Sequence, residues 1–197
     1  IEAGVPPKRV AYTVDRACCS SIAAVNMASR SIRLGEAKVA VAGGSENMSK
    51  VPYFLTDMRW GHKLGDVTLK DQLIIACPMT GKPRALQASQ EADEYGITRE
   101  EQDKWAVRSH QNYTKAKAEG KFADEMMAIE VKDDRGQPAT VTDDESPRAD
   151  TTLEKLAKLK TIYGSSTVTA GNAPGLSTGA TAIVLMSKAE ADKRGKK

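Results

Sequence analysis

The chain has 197 residues, 40% hydrophobic and 28% charged, with 29 Lys and Arg against 26 Asp and Glu. That balance excludes disordered, collagen-like and coiled-coil chains and leaves one domain or at most two small ones, long enough to bury a sizeable core. The net charge of +3 gives no nucleic-acid surface, and no segment approaches the roughly 18 uninterrupted apolar residues of a membrane span.

With two Trp, five Tyr and two Phe, the core is expected to rest on Val, Ile, Leu, Ala and Met. Three cysteines, two of them adjacent at Cys18 and Cys19, cannot build a multi-bridge framework, which points to a reducing compartment and a cytoplasmic location. The chain has no initiator Met, and its first residues read like the end of a helix running into a strand. The expectation is a chain that begins partway through a longer protein.

Arg9 to Val14 is short and β-branched and reads as a strand. Ser20 to Leu34 lacks Gly and Pro and stops at Gly35, which predicts a helix with a C′ glycine. Ile22, Val25, Ser29 and Ile32 share one face and Ala23, Met27 and Leu34 another, so a buried helix is expected. Lys38 to Ala42 predicts a second strand ended by Gly43 and Gly44, and the crossover is long enough for parallel pairing in one right-handed βαβ unit.

From Val51 to Ser166 the texture becomes more polar and helix-strand alternation is not sustained, as in an inserted subdomain. Thr98 to Glu101 spells a capping box, and Trp105, Ser109, Tyr113 and Ala116 keep helical spacing up to Gly120. Glu125 to Val131 and Thr140 to Thr142 flank a turn at Asp134, Arg135 and Gly136. Thr151 to Leu159 predicts another short helix, preceded by Ser146, Pro147 and Arg148. After Thr167 the α/β character returns, with Ala182 to Met186 as a buried strand and Lys188 to Arg194 as a helix ending at Gly195. The expected organisation is a core segment over 1–51, an inserted domain over 52–166 and a return to the core over 167–197.

Cys18 sits at the junction of strand and helix, where a tight turn exposes the side chain and the helix N-terminus favours negative charge on sulfur. It is the candidate nucleophile, with a simple buried cysteine as the bland alternative. Cys19 is the rival, and a strained Cys18–Cys19 disulfide is not expected in a reducing compartment.

Val14-Asp15-Arg16-Ala17-Cys18-Cys19-Ser20-Ser21-Ile22 resembles the nucleophile segment of the thiolases. Three further segments match in order. Val41-Ala42-Gly43-Gly44-Ser45-Glu46-Asn47-Met48-Ser49, preceded by Gly35-Glu36-Ala37, resembles the family's AGG-x-E-x-MS stretch. Thr98-Arg99-Glu100-Glu101-Gln102-Asp103 resembles its SREEQD helix, and Thr167 to Gly175 (TVTAGNAPG) its TVTAGNASG segment.

The resemblance implies an α/β thiolase-like fold, this chain being part of the N-terminal βαβ half with an inserted α+β loop domain. By the same comparison Cys18 takes an acyl group from acyl-CoA, and the thioester is then attacked by a second, α-deprotonated acyl-CoA. CoA enters as substrate, with no separate cofactor and no metal. The implied partners are acyl-CoA and further copies of the parent in a homodimer or homotetramer, without nucleic acid or membrane.

Arg148 matches a family arginine near the adenine, and Tyr163 approximates an aromatic beside it. Without the resemblance, Arg148 reads as part of an ordinary solvated face. Ala170, Gly171, Asn172, Gly175 and Leu176 are implied to line the pantetheine channel, where small residues let backbone and ligand approach closely. Gly43 and Gly44 alone are a weak phosphate-loop signal, since no Lys-Ser/Thr follows.

The family's GHP, NEAF-like and CGGG segments have no match here, so the implied acid/base set is incomplete, and His62, His110 and Cys77 are not expected to supply it. Two departures bear on binding. Pro174 stands where the family commonly has a Ser, and Lys82 to Gln90 replaces a family stretch near the pantetheine. A non-catalytic CoA or acyl-binding module of the same fold is the alternative reading, and an unrelated cysteine hydrolase a distant third.

Overall fold

A computed structural model describes residues 3–74, 76–133 and 135–196. In chain order the elements are α1 (Ser20–Arg33), β1 (Val39–Glu46), β2 (Tyr53–Phe54), β3 (Lys70–Asp71), α2 (Arg84–Glu94), α3 (Arg99–Ala118), β4 (Ile129–Lys132), β5 (Pro138–Val141), α4 (Leu153–Ala157), β6 (Gly179–Met186) and α5 (Lys188–Lys193). They divide into two compact units, Ile1–Ser49 with Thr178–Lys197, and Lys50–Ser177.

In the first unit, α1 forms where expected and ends as expected. Leu34 N–H reaches the Arg30 carbonyl, Gly35 turns the chain at φ +77°, and Arg30 and Arg33 complement the negative end of the helix. The expected burial of α1 does not occur. Ile22 and Leu34 are each 74% exposed, because the helix packs on one side only, against β1 and β6, and its other side is bare among the described residues.

The strand expected over Arg9 to Val14 is not formed. A strand exists only as part of a ladder, and no described residue pairs with this stretch, whose Val10 is 87% exposed. The parallel βαβ unit therefore gives way to an antiparallel one. β1 pairs with β6 over eight positions, from Val39↔Met186 to Glu46↔Gly179. β6 is also less buried than its apolar sequence suggests, with Ile183 and Val184 exposed.

Gly43 and Gly44 do not end β1, as expected, but lie inside it. A Cβ at Gly43 would collide with the Thr181 carbonyl and one at Gly44 with the Ser21 hydroxyl, so both glycines serve close packing within the ladder and against α1. After β6, the Ser187 hydroxyl caps α5 by accepting from Glu190 N–H, and Gly195 turns the chain at φ +61°.

The second unit is built around α3. Thr98 and Glu101 form the reciprocal capping box that the sequence spells, and Gly120, at φ +69°, follows the helix end. The hairpin β4–β5 is closed by Asp133, whose carboxylate accepts from Arg135 N–H at 2.9 Å and Gln137 N–H at 2.8 Å. Asp134, placed by the sequence in the same turn, lies outside the described residues. α4 starts at the Thr152 cap and buries Leu156.

The interior of this unit is small and polar. Ser89, Asp103, Thr151, Ser165, Thr167 and Thr169 are buried beside Ala92, Ala106, Leu156 and Val168. Thr169 pairs with Thr161 in an isolated bridge, and the unit runs to Ser177, eleven residues beyond the expected end at Ser166. No helix among the described residues is long and apolar enough to cross a membrane.

Candidate functional site

Cys18 stands in a four-residue turn that leads directly into α1. Cys19 N–H donates to the Arg16 carbonyl at 3.1 Å and Ser20 N–H to the Ala17 carbonyl at 3.1 Å. This geometry puts Ala17 at φ +50°, a left-handed conformation that costs a non-glycine residue roughly 1–2 kcal/mol. Two side chains hold it there. The Asp15 carboxylate accepts from Ala17 N–H at 2.9 Å, and the Ser20 hydroxyl accepts from Arg16 N–H at 2.8 Å while donating to the Ala17 carbonyl at 2.7 Å.

The result is an exposed Cys18 just before a helix of 14 residues, with Cys19 at the N-cap making no side-chain capping bond. Such a thiol is accessible to an electrophilic carbonyl. Asp15 and Ser20 were not singled out by the sequence reading. Their signal was the pattern D-x-A-C-x-S, two short hydrogen-bonding side chains straddling the nucleophile.

All seven residues read as CoA-binding lie in the second unit. Arg148 is exposed, and its backbone N–H donates to His110 Nδ1 at 3.1 Å, which ties its loop to the middle of α3. Its carbonyl accepts from the Thr151 hydroxyl at 2.9 Å. Tyr163, at φ +51°, heads the turn between Thr161 and Thr169 and leaves its ring half exposed. Its side chain is free to lie against a planar ligand.

The stretch from Ala170 to Leu176 is anchored from three sides. A Cβ at Gly171 would run into the side chains of Leu156 and Leu159, and one at Gly175 would stand 2.8 Å from the Ser146 hydroxyl, two residues before Arg148. Asn172 is held by its own amide, whose Oδ1 accepts from Thr169 N–H at 2.8 Å and whose Nδ2 donates to Asp103 at 3.0 Å and to the Thr167 carbonyl at 3.1 Å. Ala170 and Leu176 are exposed, and the Thr167 hydroxyl is buried without a hydrogen-bond partner among the described residues. Asp103 and Arg99 thus belong to the support of this loop, and His110 to that of the Arg148 loop. The T-R-E-E-Q-D motif holds the signal for both, but their role is hidden because the partners lie 57 to 69 residues further on.

The two histidines occupy structural bonds in the second unit. His62 Nε2 meets the Gly65 carbonyl at 3.1 Å, and His110 accepts from Arg148. Cys77 is buried, and the backbone N–H of Met79, followed by the hydroxyl and N–H of Thr80, lowers its thiol to about 7. No group of three or more His, Cys, Asp or Glu among the described residues could hold a metal ion.

Comparison with known proteins bears on both regions. Residues 1–189 match the family model "Thiolase, N-terminal domain". An acetyl-CoA acetyltransferase of Pseudomonas aeruginosa is 41% identical over 199 aligned residues, which cover 99% of this chain and 51% of that protein. The crystal structure of the Bacillus anthracis acetyl-CoA acetyltransferase superposes with a TM-score of 0.91 at 39% identity, covering 100% of this chain and 50% of that one. Human mitochondrial 3-ketoacyl-CoA thiolase in complex with CoA gives a TM-score of 0.90 at 37% identity, over 98% of this chain and 49% of its own. The chain spans about half the length of these relatives. With a family match over nearly all its residues and a shared α/β fold, the chain belongs to the thiolase family.

Proposed function

We propose that this chain carries the acyl-accepting half of a thiolase-type acyltransferase. The Cys18 sulfur attacks the carbonyl of an acyl-CoA, the carbon–sulfur bond to CoA breaks, and CoA leaves as a thiol with the proton that Cys18 gave up. The α-carbanion of a second acyl-CoA then attacks the Cys18 thioester and yields 3-ketoacyl-CoA with Cys18 released; in reverse, CoA cleaves the ketoacyl chain. The observation that carries this reading is the Ala17 turn, which presents an exposed Cys18 at the start of α1 inside a family-matching segment.

In the second unit, Arg148 and Tyr163 would meet the anionic and planar parts of CoA, and the small residues Ala170, Gly171 and Gly175, with Leu176, its apolar arm. Pro174 brings neither N–H nor hydroxyl to that arm, which suits an altered acyl-CoA preference. We further infer a cytoplasmic protein that acts in fatty acid metabolism as a homodimer or homotetramer. Its three cysteines are free thiols, in keeping with a reducing compartment.

A second reading, CoA binding without turnover, is favoured by one observation. Both histidines are engaged in structural bonds of the second unit. Peptide mass spectrometry after incubation with acetyl-CoA separates the two. Acetyl on the peptide holding Cys18 and Cys19, lost in Cys18→Ala and kept in Cys19→Ala, is the expected result for the acyltransferase. Binding of CoA with no acetylation would select the binding module instead.

A further inference from the structure

We propose that Asp103 is a positioning residue that holds the 167–173 loop in the shape that receives the pantetheine arm of CoA, acting through Asn172. The proposal rests on the CoA-binding role of this loop given above. Asp103 is only 3% exposed, a depth at which a polar side chain needs hydrogen-bond partners. One oxygen accepts from Arg99 Nε at 2.8 Å and the other from Asn172 Nδ2 at 3.0 Å. Arg99 in turn donates to the Leu156 carbonyl at 2.7 Å, at the end of α4 on which Gly171 is pressed.

One carboxylate therefore links the first turn of α3, the end of α4 and the loop. Asn172 passes the constraint on. With Nδ2 fixed by Asp103, its Oδ1 faces Thr169 N–H, and Thr169 then offers its hydroxyl to Gly171 N–H at 3.2 Å. Both ends of the Asn172 amide are used inside the protein, so its contribution to ligand binding is to shape the backbone around Ala170 and Gly171. A loop ordered in advance binds without the entropy loss of ordering it on the ligand. Only an acceptor on both sides satisfies this arrangement, because Arg99 and Asn172 both donate. An amide at position 103 would turn its NH2 on one of them.

The test is Asp103→Asn in the whole 197-residue chain, titrated with CoA and separately with adenosine 3′,5′-bisphosphate, which lacks the pantetheine arm. CoA should bind about tenfold more weakly, the size of one lost charge-assisted hydrogen bond, while the bisphosphate keeps its affinity. Amide exchange at Thr169 and Gly171 should quicken in parallel. The exchanged pair Asp103→Asn with Asn172→Asp restores a donor facing an acceptor and should recover part of the loss. Asn172→Ala, which leaves the Arg99–Asp103 pair intact, should show the same selective loss and serves if Asp103→Asn does not fold. Equal weakening of both ligands, or unchanged CoA affinity with Thr169 still protected, would overturn the proposal. If the unaltered chain binds neither ligand, the functional reading fails, and exchange at Thr169 decides the positioning role alone: quicker in Asp103→Asn upholds it and unchanged rejects it.

Discussion

The two units invert what their compositions suggest. The first is made of apolar runs, IAAV in α1, VAVA in β1 and AIVLM in β6, yet Ala42 is its one buried residue among those described. The second is richer in charge and hydroxyl, yet it buries Ser89, Asp103, Thr151, Ser165, Thr167 and Thr169 around small apolar side chains. Burial is decided by what packs against a face, and apolar sequence only states that a face should be covered. The second unit buries polar side chains most of whose hydrogen bonds are closed internally, the Thr167 hydroxyl excepted, and it too leaves large apolar side chains such as Trp60, Leu64 and Met79 exposed. In the first, a two-stranded sheet with α1 and the short α5 does not enclose its own apolar surface.

Substitutions can break this contrast at chosen points. The largest effect is expected from Gly43→Ala, whose methyl must displace the Thr181 backbone and so the β1–β6 ladder; about 3 kcal/mol should be lost, read by denaturant unfolding. A loss below about 1 kcal/mol would mean that the ladder yields easily and that the first unit is loosely held. In the second unit, Thr98→Ala removes the capping hydroxyl of α3 and should cost about 1 kcal/mol, with Thr98→Ser retaining most of it.

Val184→Thr should change stability by less than about 0.5 kcal/mol, since that side chain is largely exposed. A much greater loss would show that the exposed sheet face is covered in solution. A further signal, read against pH and not by substitution alone, is a pH slope. The Cys77 thiol ionises near 7 when folded against 9.0 otherwise, so the unfolded state holds more protons between these values. Stability should therefore rise with pH across that window and fall as pH drops through about 7. Urea midpoints measured at several pH values should show the slope, and Cys77→Ala should flatten it.

Local chemistry was legible in the sequence. The α1 span, the Thr98 capping box and the turn at Cys18 each depend on neighbours within a few residues, and each formed as read. What failed depended on distant partners. Arg9 to Val14 has strand composition but no ladder to join, and Gly43 and Gly44 read as a stop because the strand pressing on them comes from residues 179–186. In the candidate site, the motif singles out Asn172. Its bond to Asp103 is invisible in the sequence because 69 positions separate the two residues.

The β1–β6 ladder also sets a topological condition on how the chain orders itself. Glu46 pairs with Gly179, which ties off a loop of about 130 residues. For a flexible chain, closing such a loop costs entropy that grows with the logarithm of its length, and the cost falls before the ladder returns anything. A second unit that has already collapsed replaces most of that slack with a body whose two ends have a fixed separation. Closing the ribbon on a second unit that has already formed therefore costs less entropy than closing it on a flexible chain.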